Sequence, residues 1–480
     1  MSEQRKFFKN SFSMLVSRLA QSVTTFVLTA TIARTLGADA LGQYLLAFSF
    51  YYIFMSITSQ GLKVFFTREL SRAPLEVPAY LINGTLLQFI FSAIGYLALV
   101  IVVYLLPYSA GTKTICYIMG LTIFPFSLSN ITEAIFQAQE RMHLIAIATV
   151  PVYVLRLLIM IWLLDQQYQI KYLAVLIALS ETLVLFVEWI LLLRTLNLQW
   201  RVRWDVIQAA VYSSRTFVAI EAVGIIASKL QILMLSLLGS ELLVGIYGGI
   251  EQLMQPFYIV CNSLLIAAFP KMSKTVELGR EKQRKTTENI LEMLLCIALP
   301  FSVGLLFFAD KLLGFVYKDL AFQQGVKPLQ LTALTLVTFT FLRTLGYVLL
   351  ANGFEKFNLI EVSVATLLGG VAGIFWIPQY KLMGAAYVTL LMSSTSAAIF
   401  VYVVCTRLFP LHLWNFITRP LVIVIMMLPI FVILSQAKLS FLMVLIITVF
   451  TYVFLSGLIG VHALGGSRAA YDKLFEKGKL

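Results

Sequence analysis

Charge is what this sequence has least of. Only 12% of its 480 residues are Asp, Glu, Lys or Arg, against about 25% in a soluble globular protein, so a water-facing surface of ordinary size cannot be built from it. Cysteine (4) and histidine (3) are equally scarce. Cys116, Cys261, Cys296 and Cys405 stand singly in or beside apolar runs, without the spacing of a zinc site or a disulfide framework, and read as small core residues. His143, His412 and His462 are scattered singly near the ends of apolar runs. No Gly-rich phosphate loop, nucleophile elbow or metal-ligand cluster occurs, and no outer loop is large enough to carry catalytic groups. These absences exclude a soluble domain and disfavour a membrane glycosyltransferase, ligase or polysaccharide polymerase. The chain reads as a non-enzyme without cofactor or metal.

What is present is apolar: 60% of the residues are hydrophobic. About fourteen runs of membrane-spanning length follow one another from residue 11 to residue 461, each near the roughly 20 residues that cross a bilayer as a helix. Arg5, Lys6 and Lys9 precede the first run as in a signal peptide, but that run is too long for one and reads as an uncleaved first span. With the N-terminus inside, 23 Lys and Arg fall in inner segments, 7 in outer ones and 6 within spans. The positive-inside rule therefore places both termini in the cytoplasm. The net charge of +13 follows this asymmetry and implies anionic lipid headgroups, not nucleic acid.

The longest hydrophilic segment, 269 to 289, reads as a basic linker between two halves. Leu36-Gly37 and Leu41-Gly42-Gln43-Tyr44 return about 200 residues later as Leu238-Gly239 and Gly245-Ile246-Tyr247. Ala138-Gln139-Glu140-Arg141 likewise returns as Asn352-Gly353-Phe354-Glu355-Lys356. The expected architecture is all-α: an N-terminal lobe of six spans (1–205), a parallel repeat of it (206–405), and two further spans with a basic tail (406–480).

Within the spans the charges are few and placed on faces. On the first span Arg18, Ser22, Thr25 and Thr29 share one stripe, with Gln21 at its edge. A guanidinium there costs roughly 2.5 to 3.5 kcal/mol on insertion scales, so the stripe faces protein or water. Arg215 and Lys229 lie on one face of span seven, separated in depth by roughly 20 Å. Arg343 shares a face with Thr332, Thr340 and Tyr347, and Arg156 with Thr149 and Tyr153. Carboxylates answer them: Glu133, beside Ser129, Asn130 and Gln137, then Glu181, Glu221 and Glu251. Two readings stand for these groups, structural ion pairs or the walls of a polar cavity that holds an anion such as a diphosphate. Glu188, Glu292, Glu361 and Arg34, isolated or near span ends, read as structural.

The run Ala33-Arg34-x-Leu36-Gly37-x-x-x-Leu41-Gly42-x-Tyr44, followed by Gln60-Gly61-Leu62 and Arg68-Glu69, resembles the polysaccharide-exporter branch of the multidrug, oligosaccharidyl-lipid and polysaccharide (MOP) exporter superfamily. So do Val244-Gly245-Ile246-Tyr247, Phe269-Pro270-Lys271-Met272-Ser273, Ala351-Asn352-Gly353, Ile377-Pro378-Gln379-Tyr380 and Gly384-Ala385-Ala386. The resemblance implies two six-helix lobes like those of MATE transporters, and a Wzx-type flippase. Such a protein moves a polyprenyl-diphosphate-linked oligosaccharide, an O-antigen, capsule or exopolysaccharide repeat unit, across the bacterial cytoplasmic (inner) membrane by alternating access. It implies headgroup binding by Arg18, Arg215, Lys229, Arg343 and Arg156. Gln21, Thr25, Glu133, Glu221 and Glu251 would then line the cavity or couple transport to H⁺ or Na⁺. A lipid-linked oligosaccharide, membrane lipids and polysaccharide polymerase or chain-length machinery are the expected partners of a monomer. At one point the pattern departs: Ser228-Lys229-Leu230-Gln231 stands where relatives often carry an Asp, so no cation site carries over there. The competing reading is a cation-coupled MATE-like drug antiporter, which would need carboxylates to outnumber bases in the cavity.

Overall fold

The computed structural model describes residues 3–72, 77–194, 202–437 and 439–463, with side chains from residue 22 onward except at 216, 217, 220 and 459–463. Among the described residues there are helices and turns but no strand. The helices are α1 (Glu3–Met55), α2 (Gly61–Arg72), α3 (Val77–Leu105), α4 (Ala110–Gly120), α5 (Ile123–Ala138), α6 (His143–Asp165), α7 (Ile170–Leu193) and α8 (Trp204–Leu238). They continue with α9 (Glu241–Glu277), α10 (Arg280–Tyr317), α11 (Val326–Ala333), α12 (Thr335–Ala351), α13 (Lys356–Tyr380), α14 (Leu382–Arg407), α15 (Leu413–Gln436) and α16 (Phe441–Ala463). An all-helical chain is what a bilayer demands, because only a helix satisfies its own backbone groups in lipid.

Among the described residues twelve helices are long and apolar enough to cross a membrane, or thirteen when α11 and α12, bent by 40°, count as one span. The difference from the fourteen expected spans lies at Gly37. Residues Ser22–Arg72 form one continuous helical stretch, but Gly37 within it has φ 83° and ψ 178°, so two helices meet there at a break. Only glycine adopts that conformation without strain. The chain is thus a multi-pass membrane protein.

Two compact units result, Met1–Gln252 with Ile377–Lys381, and Leu253–Trp376 with Leu382–Leu480. The division falls inside α9, shortly before Pro256, and α8 packs with α1 and α2 in the first unit.

In the first unit the repeated glycines have a visible task. A Cβ on Gly42 would stand 1.8 Å from the Glu241 carbonyl oxygen, and one on Gly245 would stand 1.9 Å from that of Ala38. Bare backbone on both sides lets α1 and α9 touch, as small residues do throughout membrane helix pairs. Tyr44 and Tyr247 of the same motifs are buried beside this contact. The junction of α1 and α2 is a five-residue π turn, Ser56–Gln60. Gln88 of α3 donates to the Thr58 carbonyl there at 2.8 Å.

In the second unit α15 is fastened along α10. At one end Glu288 accepts from the His412 backbone N–H at 3.0 Å and the Asn415 amide at 3.1 Å, and Arg419 pairs with Glu292 at 2.7 Å. At the other end the Lys311 ammonium donates to the carbonyls of Leu434, Ser435 and Ala437 at 3.1, 3.1 and 3.3 Å. It thereby satisfies the last carbonyls of α15 and opposes the negative end of its dipole. Between the two ends the packing is apolar, with Phe308, Ile423, Met427 and Phe431 buried together. On α16, Leu442, Ile446, Phe450 and Val453 are exposed, the surface expected of a helix facing acyl chains.

Candidate substrate and coupling site

The cations of the spans separate into two kinds. Arg156 and Lys63 are engaged by carboxylates inside the first unit. The Arg156 guanidinium, on α6, donates to Glu181 at 2.7 Å and to Ser180 at 3.1 Å, both on α7, and lies 4.4 Å from the centre of the Tyr153 ring. Ordered, charge-assisted hydrogen bonds of this kind are the strong ones. Beside the pair is a cavity of about 80 Å³, lined also by Thr25, Tyr44, Tyr51 and Tyr52. That is polar space for several waters.

A second polar group lies between α2, α5 and α7. The Lys63 ammonium contacts Glu133 in a short ion pair and donates to Asn130 at 3.1 Å. Asn130 in turn donates to Ser59 in the π turn at 2.9 Å. Ser129 donates to Glu188 of α7. The Ser129, Asn130 and Glu133 face of α5 is therefore the polar face expected from its sequence, and two members of its network were not anticipated. Lys63 falls just after an apolar run and reads as a loop base; Glu188 lies near the end of a span. The signal that finds Lys63 is the absence of a helix breaker between Leu62 and Arg72, which lets the helix run on past the apolar segment.

Arg215, Lys229 and Arg343 are the other kind. Among the described residues none of the three forms an ion pair; each instead stands over an aromatic ring. Arg215 lies 3.9 Å from the centre of the Tyr212 ring and Lys229 lies 5.8 Å from that of Tyr52, both in the first unit. Arg343, in the second, lies 5.3 Å from the Phe339 ring. A ring face holds a cation without neutralising it, leaving its N–H donors for a ligand. Glu251 and Glu221 are half-buried; Lys229 is an electrostatic neighbour of Glu251, and Glu221 of Tyr52. In the second unit Glu361 is buried, with Ser396 and Arg343 as its polar neighbours. The side chains of Arg18 and Gln21 lie outside the described residues. Among the described residues no group of three or more His, Cys, Asp or Glu is placed to hold a metal.

A family model, "Polysaccharide biosynthesis protein", matches residues 7–276. The chain belongs to that family. The chain has the fold of MOP-superfamily transporters. It superposes on a lipid II flippase, MurJ in an inward closed conformation, with TM-score 0.78 at 16% identity, covering 94% of this chain and 98% of that one. An inward-facing multidrug resistance transporter of the MATE family matches with TM-score 0.63 at 12% identity, covering 82% of this chain and 98% of its own. A MOP-superfamily transporter from Pyrococcus furiosus, for which a reversed pocket polarity suggests a different function, matches with TM-score 0.59 at 12% identity, covering 83% and 93%. At these identities the likeness is one of fold. No curated protein matches the chain.

Proposed function

We propose that this protein flips a polyprenyl-diphosphate-linked oligosaccharide across the cytoplasmic membrane by alternating access, both termini remaining in the cytoplasm. The observation that carries the reading is that Arg215 and Lys229, both on α8 of a chain of this family, form no ion pair among the described residues and stand over aromatic rings. Leaving a cation unpaired in a span is costly, and an anionic ligand returns that cost. A diphosphate supplies the anion. Arg215 and Arg343 offer planar donor pairs for its oxygens, and Lys229 offers a point charge. Arg18 belongs to the same proposal from its place on the sequence stripe. A carrier of cationic drugs would need the opposite balance, which makes the antiporter the weaker reading. Translocation further requires that the headgroup be held more tightly in one state than in the other.

The test is to remove the protein from its cell and identify what accumulates. A saccharide on a polyprenyl diphosphate at the cytoplasmic face is the expected product, restored to export by the wild-type gene. Accumulation of no lipid-linked glycan, with cell-surface polysaccharide unchanged, would sink the proposal.

A further inference from the structure

The most deeply buried carboxylate among the described residues of the first unit stands outside the proposed headgroup site. Glu188 of α7 is 0% exposed. One of its oxygens accepts from Ser129, and the other, Oε1, is buried without a hydrogen-bond partner. The neighbouring indole N–H, of Trp189, is likewise unpartnered. An ionised carboxylate with an unfilled hydrogen-bond position inside a helix bundle is strongly disfavoured unless something neutralises it.

The nearby cations are already engaged. Glu133, Lys63, Glu181 and Tyr153 are the electrostatic neighbours of Glu188. The Lys63 ammonium is held by Glu133 and Asn130, and the Arg156 guanidinium by Glu181 and Ser180. From α1, Tyr44 and Tyr51 face the Arg156 and Glu181 pair. From α4, also packed on α7, Lys113 turns away to the Tyr104 carbonyl. Among the described residues three carboxylates thus face two cations, and one negative charge is unmatched. A metal ion suits the place poorly, since Lys63 already lies among the oxygens. A proton suits it well: it bonds to one carboxylate oxygen, needs no coordination shell, and removes the unmatched charge. The polar cavity beside Glu181 and Arg156 has room for water; Glu188 does not line it, but stands two helical turns beyond Glu181 on the same face of α7. The π turn that supplies Ser59 to Asn130 adds a second indication, because such turns recur at functional sites.

We propose that Glu188 is a proton-binding carboxyl, exchanging one proton with water in the cavity at Glu181 and Arg156, and that this exchange couples the transport step to a proton gradient. Binding forms one O–H bond on Glu188 and takes the proton from water; release reverses it, and no bond of the transported molecule changes. Only the coupling clause rests on the flippase reading; the proton site stands without it.

The decisive measurement is infrared difference spectroscopy of the purified full-length protein in lipid, stepped between acid and neutral pH without substrate. A protonated-carboxyl stretch that titrates in the wild type and is lost in Glu188→Gln is expected. Ser129→Ala should keep the band and shift its frequency, as the hydrogen bond to the carboxyl disappears. A band unchanged in Glu188→Gln overturns the proposal. Failure of that variant to accumulate as folded protein overturns it too, because glutamine copies the neutral state the site is proposed to adopt. In proteoliposomes carrying a fluorescent polyprenyl-diphosphate saccharide, an imposed pH gradient should accelerate flipping by the wild type. Glu188→Gln should fall to the rate seen without a gradient. A response to a sodium gradient alone overturns the coupling. A wild type that shows the Glu188 band yet moves no such lipid refutes the flippase reading and leaves the proton site standing.

Discussion

In the first unit the charges meet inside the helix bundle; in the second they fasten the ends of helices. Lys63, Glu133, Arg156, Glu181 and Glu188 form contacts between α2, α5, α6 and α7, whereas Glu288, Glu292 and Lys311 hold the two ends of α15 against α10. Helix ends have orphan backbone groups and nearby water, so ionic contacts there are inexpensive and structural. Contacts within a bundle require desolvation, and a hydrophobic replacement of the same shape is often as stable or more so. The difference therefore places the interior ion pairs, whose presence stability alone does not explain, in the first unit among the described residues.

The largest effect should come from breaking one partner of the interior pair. Lys63→Ala leaves the half-buried Glu133 without its counter-charge, a loss approaching the roughly 3 to 5 kcal/mol of fully buried pairs. Thermal unfolding in detergent and membrane abundance should both fall sharply. The double variant Lys63→Met, Glu133→Leu should recover much of that stability. If the double variant is as unstable as the single one, the pair is structural and the contrast between the units disappears.

How much of this could be read beforehand follows from what sequence periodicity encodes. Spans, the Gly37 break and the repeated Gly-x-Tyr motif are local, so they were legible, as was the polar face of Ser129, Asn130 and Glu133. The partners on that face were not. Lys63 belongs to a helix that continues to Arg72 beyond the apolar stretch, and a hydropathy pattern ends where the apolar residues end. Glu188 lies near the end of a span by count, yet is fully enclosed by neighbours from distant parts of the chain. Burial is a tertiary property, and a single face pattern cannot state who stands opposite. The same limit applies to Arg156, whose face was legible and whose engagement by Glu181 was not.

Next in size are the cations that form no ion pair among the described residues. Arg215→Ala, Lys229→Ala and Arg343→Ala should each lower headgroup affinity by about ten- to hundred-fold, the equivalent of losing a charge-assisted contact of roughly 1.5 to 3 kcal/mol. Folded protein in the membrane should be unchanged. Arg→Lys should restore function partly at sites where charge suffices and not where a two-point grip is needed. Normal export per folded molecule in all three alanine variants would end the anionic-headgroup mechanism. A smaller effect belongs to Lys311→Met, which uncaps the last carbonyls of α15 at a cost of ~1 kcal/mol. A modest drop in unfolding temperature with intact export is expected.

The smallest effect tests whether ionic contacts at helix ends are as dispensable as their setting implies. Arg419 pairs with Glu292 at 2.7 Å, but its side chain is 54% exposed while that of Glu292 is 14% exposed. An exposed pair is screened and entropically costly to hold, so it contributes about 0 to 1 kcal/mol. Arg419→Ala should therefore leave abundance, unfolding temperature and export close to those of wild type, and added salt should erase any remaining difference. A large loss of stability in Arg419→Ala, comparable with that of Lys63→Ala, would mean that the α10 and α15 contact depends on charge as heavily as the interior of the first unit. The two units would then differ in where their ions stand and not in what the ions are for.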